Sequence, residues 1–385
     1  MSTPVSVLFV AACSMHVPQG SQIHIRQIYD SITAAGLHAR LLSYDAIAGN
    51  HRFFRLPANA GPSIRKLFLD LSLRKLLLRQ IATQKPSIIH CHNIEACLLA
   101  ASACRKFSIP LVYSVHGIMR DELPLFFPKT FSSIFNYIGA RLDTAAARSA
   151  DVILSLDKSS LAYWQARRSS SALFVPPSIN LKEIDQQPEK ALPLLPSDLP
   201  RIGYIGNIDR YQNLSLAINA FRLLKRKYAS LNLTIAYHNE SHRRSVVNLH
   251  GPGIHLLQIG SFAEAKYLLQ KLDILLLPRV LHGGFPIKLM NYMAMAKPIV
   301  TTRQIGQSCG FPEECMLSAE ATPEAFALAI GELIENPALR LQLGQCARRI
   351  VAEQFNSAYS AKRILTIYSE LLDRDHEHSH IRRTH

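Results

Sequence analysis

The densest set of groups suited to chemistry in this 385-residue chain lies at 282–301. It opens on His282, Gly283, Gly284, Phe285, Pro286, Ile287 and Lys288, and Asn291 follows. Two glycines and a proline precede an apolar run at helical spacing (Ile287, Leu289, Met290, Met293, Ala294). Lys297 and Pro298 then stop the helix ahead of the apolar stretch 299–302. The apolar stretch 272–278 precedes the loop. Strand, glycine-rich loop, helix start and strand bring backbone N–H groups to a phosphate at the positive end of a helix. A second candidate is His116, which closes the apolar run 110–115; a strand-end imidazole can donate to or accept from a ligand hydroxyl. Gly20 and Ser21, after the first apolar run, read as a turn and cap opening a helix. His90, Cys91 and His92 alternate along a strand, and no ligand cluster of recognised spacing follows, so no metal site is expected. Asp121 and Glu122 lack the spacing of a catalytic carboxylate pair and read as a solvated loop.

The elements that must position these residues form a repeating pattern. An apolar strand at 5–11 is followed by a helix through Ile23, Ile28 and Ile32 that Gly36 ends. A strand at 39–43, a basic helix at 63–83, a strand at 87–90, a helix at 95–106, a strand at 110–116, a helix at 132–149 and a strand at 151–155 follow. Such alternation predicts a parallel sheet with helices on both faces. Residues 181–199, rich in proline and without periodicity, read as a linker. Alternation resumes with strands at 201–206, 232–236, 255–260, 273–277 and 298–302, and ends with helices at 323–335, 337–354 and 357–372. The length requires two domains. The predicted division is an N-terminal domain at 1–180, the linker, a second domain at 200–354, a helix at 355–372 packing back on the N-terminal domain, and a disordered tail at 373–385. The fold class is α/β, with two doubly wound Rossmann-like domains facing a cleft where ligands bind at the strands' carboxyl ends.

The layout at 282–301 resembles the donor-binding loop of family-4 type retaining glycosyltransferases of the GT-B fold. Their pattern there is Glu-x7-Glu followed by Ala-Met-Ala-x-Gly-x-Pro-Val-Val. This chain has Gly283 and Asn291 at the two acidic positions, and Ala296 at the glycine, which implies ordinary helical or extended backbone there. The resemblance makes Gly20 and Ser21 the loop near donor phosphate or acceptor, and His116 the histidine facing the donor sugar. It aligns the stretch from Gly203 and Gly206 to Gln212 with Gly-Arg-x4-Lys-Gly, so Asn207 and Gln212 stand where Arg and Lys neutralise the donor diphosphate. Both amides can hydrogen-bond phosphate oxygens but supply no charge; Arg210 and Lys288 are the cations close by in the motifs. The implied donor site is therefore Gly20, Ser21, Gly206, Asn207, Gln212, Gly284, Phe285, Ile287, Lys288 and Asn291, with His116 as the catalytic contact.

The implied activity is retaining, metal-independent transfer of a hexose or N-acetylhexosamine from a nucleotide-sugar to a glycan or lipid-linked glycan, with no cofactor. The competing readings are a catalytically inactive scaffold or glycan-binding partner, motivated by the missing Arg, Lys and Glu side chains, and an epimerase, for which no set of carboxylates is evident. The formal charge of +15 calls for an anionic partner. No aromatic-interleaved basic stripe accompanies it, which argues against nucleic acid. Arg65, Lys66, Arg74, Lys75 and Arg79 interleave with leucines in the helix at 63–83, and such a helix can lie on an anionic membrane. Neither a signal peptide nor a spanning run is evident, and the seven scattered cysteines read as reduced. A cytoplasmic protein, peripheral on the inner face of the plasma membrane, is the expectation.

Overall fold

The computed structural model describes residues 5–16, 20–48, 63–167, 171–187, 192, 198–208, 212–237, 249–280 and 285–381, the last seven by backbone alone. The chain divides into two units. The first comprises the chain up to Ser178 and from Ser357 onward; the second comprises the chain from Ile179 to Asn356, apart from Phe285, which groups with the first.

In the first unit β1 (Ser6–Ala11), β2 (His38–Ser43), β3 (Ile88–His92), β4 (Leu111–Val115), β5 (Val152–Ser155) and β6 (Ala172–Phe174) form one parallel sheet in the order β2-β1-β3-β4-β5-β6. Period-two alternation sorts the side chains. Val7 and Phe9 pack with Ile28 and Ile32 of the helix Gly20–Ala34 and with Ile364, Ile367 and Tyr368 of the C-terminal helix. Leu8 and Val10 pack on the other side, with Leu69, Leu73 and Leu77 of the helix Ile64–Thr83 and Ala100 and Cys104 of the helix Ile94–Phe107.

The second unit repeats the plan. Its strands are β7 (Ile202–Ile205), β8 (Leu233–Tyr237), β9 (Ile254–Gln258), β10 (Ile274–Leu277), β11 (Ile299–Thr302) and β12 (Leu317–Ala319), again all parallel, in the order β12-β11-β10-β7-β8-β9. Each sheet has one switch point. In the first, the chain turns to opposite sides of β1, placing β2 on one flank and β3 on the other. In the second, β7 lies between β8 and β10. Connections diverge at the carboxyl ends of such strands and leave a crevice for a ligand.

Three local features differ from the sequence reading. Within 181–199 the residues Leu181–Asp185 are helical: Asn180 caps the Glu183 amide, Ile184 is buried, and Asp185 takes both oxygens to Arg348 Nη2 at 2.8 and 2.7 Å. The C-terminal helix continues past Leu372 to Ile381. Edge strands β6 and β12 have three residues each, too few to show a period.

Candidate active site

In the second unit the loop after β7 and the helix Ile287–Ala294 after β10 start on neighbouring strands. Lys288, in the first turn of that helix, reaches back across the gap. Its Nζ donates to Tyr204 Oη at 2.5 Å and to Gln212 Oε1 at 2.9 Å, and lies 4.3 Å from the centre of the Tyr204 ring. Tyr204 in turn donates to the Asn207 carbonyl, so the tyrosine ties the lysine to the loop. Gly206, at φ +147°, lies directly beneath: a Cβ there would come within 2.5 Å of the lysine Nζ. The glycine supplies both a backbone conformation that side chains avoid and the room the cation occupies. Gln212 is buried, whereas Asn207, Lys288, Ile287 and Asn291 are half-buried.

The helix is held rigidly. Tyr292 Oη donates to the Ile205 carbonyl at 3.1 Å and lies 3.0 Å from the Ile205 amide, which donates back to it. Phe285 is buried, and among the described residues no side chain caps the helix N-terminus. At the other end Ala296 has φ +53°, which corrects the expectation of ordinary backbone there. The left-handed turn that ends this helix survives the loss of glycine, because the Ala296 amide donates to Met293 O and its carbonyl meets Gly344, where a Cβ would collide. Gly283, Gly284 and Arg210 lie outside the described residues.

In the first unit the carboxyl ends of β3 and β4 gather imidazoles. His116, half-buried just beyond β4, has Nε2 3.2 Å from His92 Nδ1. His92 stacks on His90 at 4.5 Å and on Phe9 at 5.7 Å. His90 is pinned by Tyr368 Oη (2.6 Å) and Ser114 Oγ (2.7 Å). His24, one turn into the helix opened by Gly20 and Ser21, stands edge-on to His116 at 5.5 Å; it is buried, and neither ring nitrogen has a partner among the described residues. Ser21 Oγ donates to Gln22 Oε1 at 2.8 Å, and no backbone amide among the described residues is capped by it.

Burial keeps these rings neutral. It lowers the His116 pKa to about 4 and that of His90 to about 3, and burial with imidazole neighbours holds His24 and His92 well below the ordinary value. Among the described residues no group of His, Cys, Asp and Glu could hold a metal ion.

The loop after His116 is fixed from below. Asp143, buried in the helix Ser132–Ser149, accepts from the amides of Met119 (3.1 Å) and Arg120 (3.0 Å) and from Tyr163 Oη (2.7 Å). Glu122 folds its carboxylate against Gly117, leaving no room for a Cβ there, and Asp121 pairs with Arg120. Tyr204, His24 and Asp143 are absent from the sequence-derived site. Tyr204 reads as one more apolar strand residue, and the other two are single polar residues on helices whose role depends on tertiary contact.

Two α/β units, each a six-stranded parallel sheet with flanking helices, are the architecture of the GT-B fold. The stretch 18–183 matches the model "Glycosyltransferase Family 4" and 199–336 matches "Glycosyl transferases group 1". The chain belongs to the family-4 type of glycosyltransferases. Among solved structures it is similar to a sucrose-phosphate synthase from Thermosynechococcus elongatus (16% identity, TM-score 0.77, covering 96% of this chain and 100% of that one). It is also similar to Anabaena Alr3699/HepE in complex with UDP (15%, TM-score 0.71, 95% and 100%). A putative UDP-N-acetylglucosamine 2-epimerase from Listeria monocytogenes is more distant (13%, TM-score 0.58, 94% and 95%). No curated protein matches the chain by sequence.

Proposed function

We propose that this glycosyltransferase takes a nucleoside diphosphate hexose or N-acetylhexosamine and transfers the sugar, with retention and without a metal, to a glycan or lipid-linked glycan. The observation that carries the reading is Lys288. Its ammonium contacts the Gln212 side chain and lies over Gly206, next to Asn207, the positions that in the family pattern bring positive charge to the diphosphate. The charge missing from the loop after β7 is supplied from the first turn of the neighbouring helix. Stabilising the leaving diphosphate is the largest electrostatic demand of such a transfer, and an ammonium meets it without a metal ion. Asn291, three residues on, offers an amide oxygen to ribose hydroxyls. His116 offers its imidazole to a sugar hydroxyl.

Uridine diphosphate is the first nucleotide to test, because HepE is solved with UDP and UDP-glucose and a trehalose-6-phosphate protein from E. coli with UDP-2-fluoro glucose. A panel of nucleoside diphosphates and their sugars is expected to raise the melting temperature with one base strongly preferred. The configuration of the released sugar, read by proton NMR, is expected to match the donor. No shift with any nucleotide would favour the inactive scaffold.

The reading includes work at an anionic membrane in the cytoplasm. No helix among the described residues is long and apolar enough to cross a bilayer. The helix Ile64–Thr83 buries Leu69, Leu73, Leu77 and Ile81 but exposes a second stripe, Ile64, Leu67, Phe68 and Leu71, with Arg65, Arg74, Lys75 and Arg79 exposed around it. Apolar side chains rimmed by cations suit an anionic lipid surface. Cosedimentation with anionic vesicles is expected to weaken with salt and when Arg74, Lys75 and Arg79 become Ser; binding indifferent to both would refute the attachment.

A further inference from the structure

We propose that His92 is a positioning residue that fixes the tautomer of His116, so that His116 presents an Nδ1–H donor to its ligand. The proposal deepens the reading of His116 as a ligand contact and rests on the hydrogen bond between the two rings.

A neutral imidazole carries one N–H and one lone pair, so the 3.2 Å contact between His92 Nδ1 and His116 Nε2 has two possible senses. If His116 Nε2–H donates, His92 must carry its proton on Nε2. If His92 Nδ1–H donates, His92 Nε2 is a bare lone pair. His92 is wholly buried, and its Nε2 has no hydrogen-bond partner among the described residues. A buried N–H without an acceptor is rare, whereas an under-satisfied acceptor is tolerated more often. The second sense is therefore preferred. It places the His116 proton on Nδ1, where no protein acceptor is found among the described residues, and it occupies His116 Nε2 as an acceptor.

His92 is held in this orientation by its neighbours. Its ring stacks on His90 and packs against Phe9, which themselves meet at 5.1 Å, and His90 is bonded at both nitrogens. His24, the other ring against His116, meets it edge-on and makes no hydrogen bond to it. His116 then acts as a hydrogen-bond donor to a ligand oxygen. It does not remove a proton, because its lone pair is already engaged. The nitrogen that is not bonded sets the chemistry the ligand meets.

The test needs no donor, so its outcome is independent of whether the nucleotide-sugar reading holds. Long-range proton–nitrogen NMR of 15N-histidine-labelled protein at neutral pH, with His116 assigned by its loss in His116→Gln, is expected to show Nδ1 protonated and Nε2 bare. In His92→Phe, which keeps the stacked ring and removes the donor, His116 is expected to shift its proton toward Nε2. In His92→Asn, whose amide places an N–H near the original Nδ1, the Nδ1 tautomer is expected to persist. Where turnover is measurable, His92→Phe is expected to lower it about five- to tenfold, the worth of one neutral hydrogen bond, with recovery in His92→Asn. A His116 proton on Nε2 in the unaltered protein, or a tautomer unchanged in His92→Phe, would overturn the proposal.

Discussion

The two units use the same sheet plan and opposite electrostatics at their carboxyl edges. In the first, four imidazoles from β3, the residue after β4 and the first helix are packed until burial strips them of charge. In the second, one ammonium is kept beside an aromatic face and a buried amide, with a glycine clearing the space above the loop. A sugar needs directional hydrogen bonds from neutral groups, whereas a diphosphate needs positive charge. In the proposed reading the first unit offers the first kind of group and the second unit offers the other.

The largest effect that would break this contrast is acid. His24, His90, His92 and His116 are neutral in the folded protein, with pKa values below the ordinary 6.5 of the unfolded chain. Between about pH 6.5 and 4 the unfolded chain therefore binds more protons, and stability falls as pH falls through that window. Each proton taken up contributes about 1.4 kcal/mol per pH unit. The melting temperature is expected to drop steeply from pH 6.5 to 4, and less steeply in His92→Phe; a flat profile would mean the rings are charged or exposed.

A smaller effect should separate the second unit from the first. Gly206→Ala puts a Cβ within 2.5 Å of the Lys288 Nζ at a backbone angle that costs an alanine about 1–3 kcal/mol. It is expected to lower stability by that order and to weaken nucleotide binding by displacing the lysine, leaving the histidine spectrum untouched. The smallest effect is a gain. Ala296→Gly relieves the φ of +53° at the helix end and is expected to stabilise by about 1 kcal/mol in thermal melts; a loss would place the strain elsewhere.

Most of the fold was legible because parallel strands buried on both faces read as apolar runs, and helices between them carry their own period. What escaped was short or was set by tertiary contact. Three-residue β6 and β12 have no period to detect, and the turn Leu181–Asp185 is held by Arg348, far along the chain. The site was legible in its loops and not in its charges. Gly206, Gln212 and Lys288 stand out as motif positions, yet that Lys288 meets Gln212 depends on β10 lying beside β7, a pairing the sequence order hides. Ala296 shows the opposite limit, since a residue's own preference was overruled by the Gly344 contact and the hydrogen bond to Met293.

The central claim is that Lys288 has taken over the charge of the family's diphosphate-binding cations. The direct measurement is titration calorimetry of UDP, and of the preferred nucleoside diphosphate should it differ, into the unaltered protein and Lys288→Met. A charge-assisted bond is worth about 1.5–3 kcal/mol, so affinity is expected to fall roughly 10- to 100-fold, with Lys288→Arg retaining part of it. Equal affinity in the unaltered protein and Lys288→Met would contradict the account, because the diphosphate would then be held by groups other than Lys288.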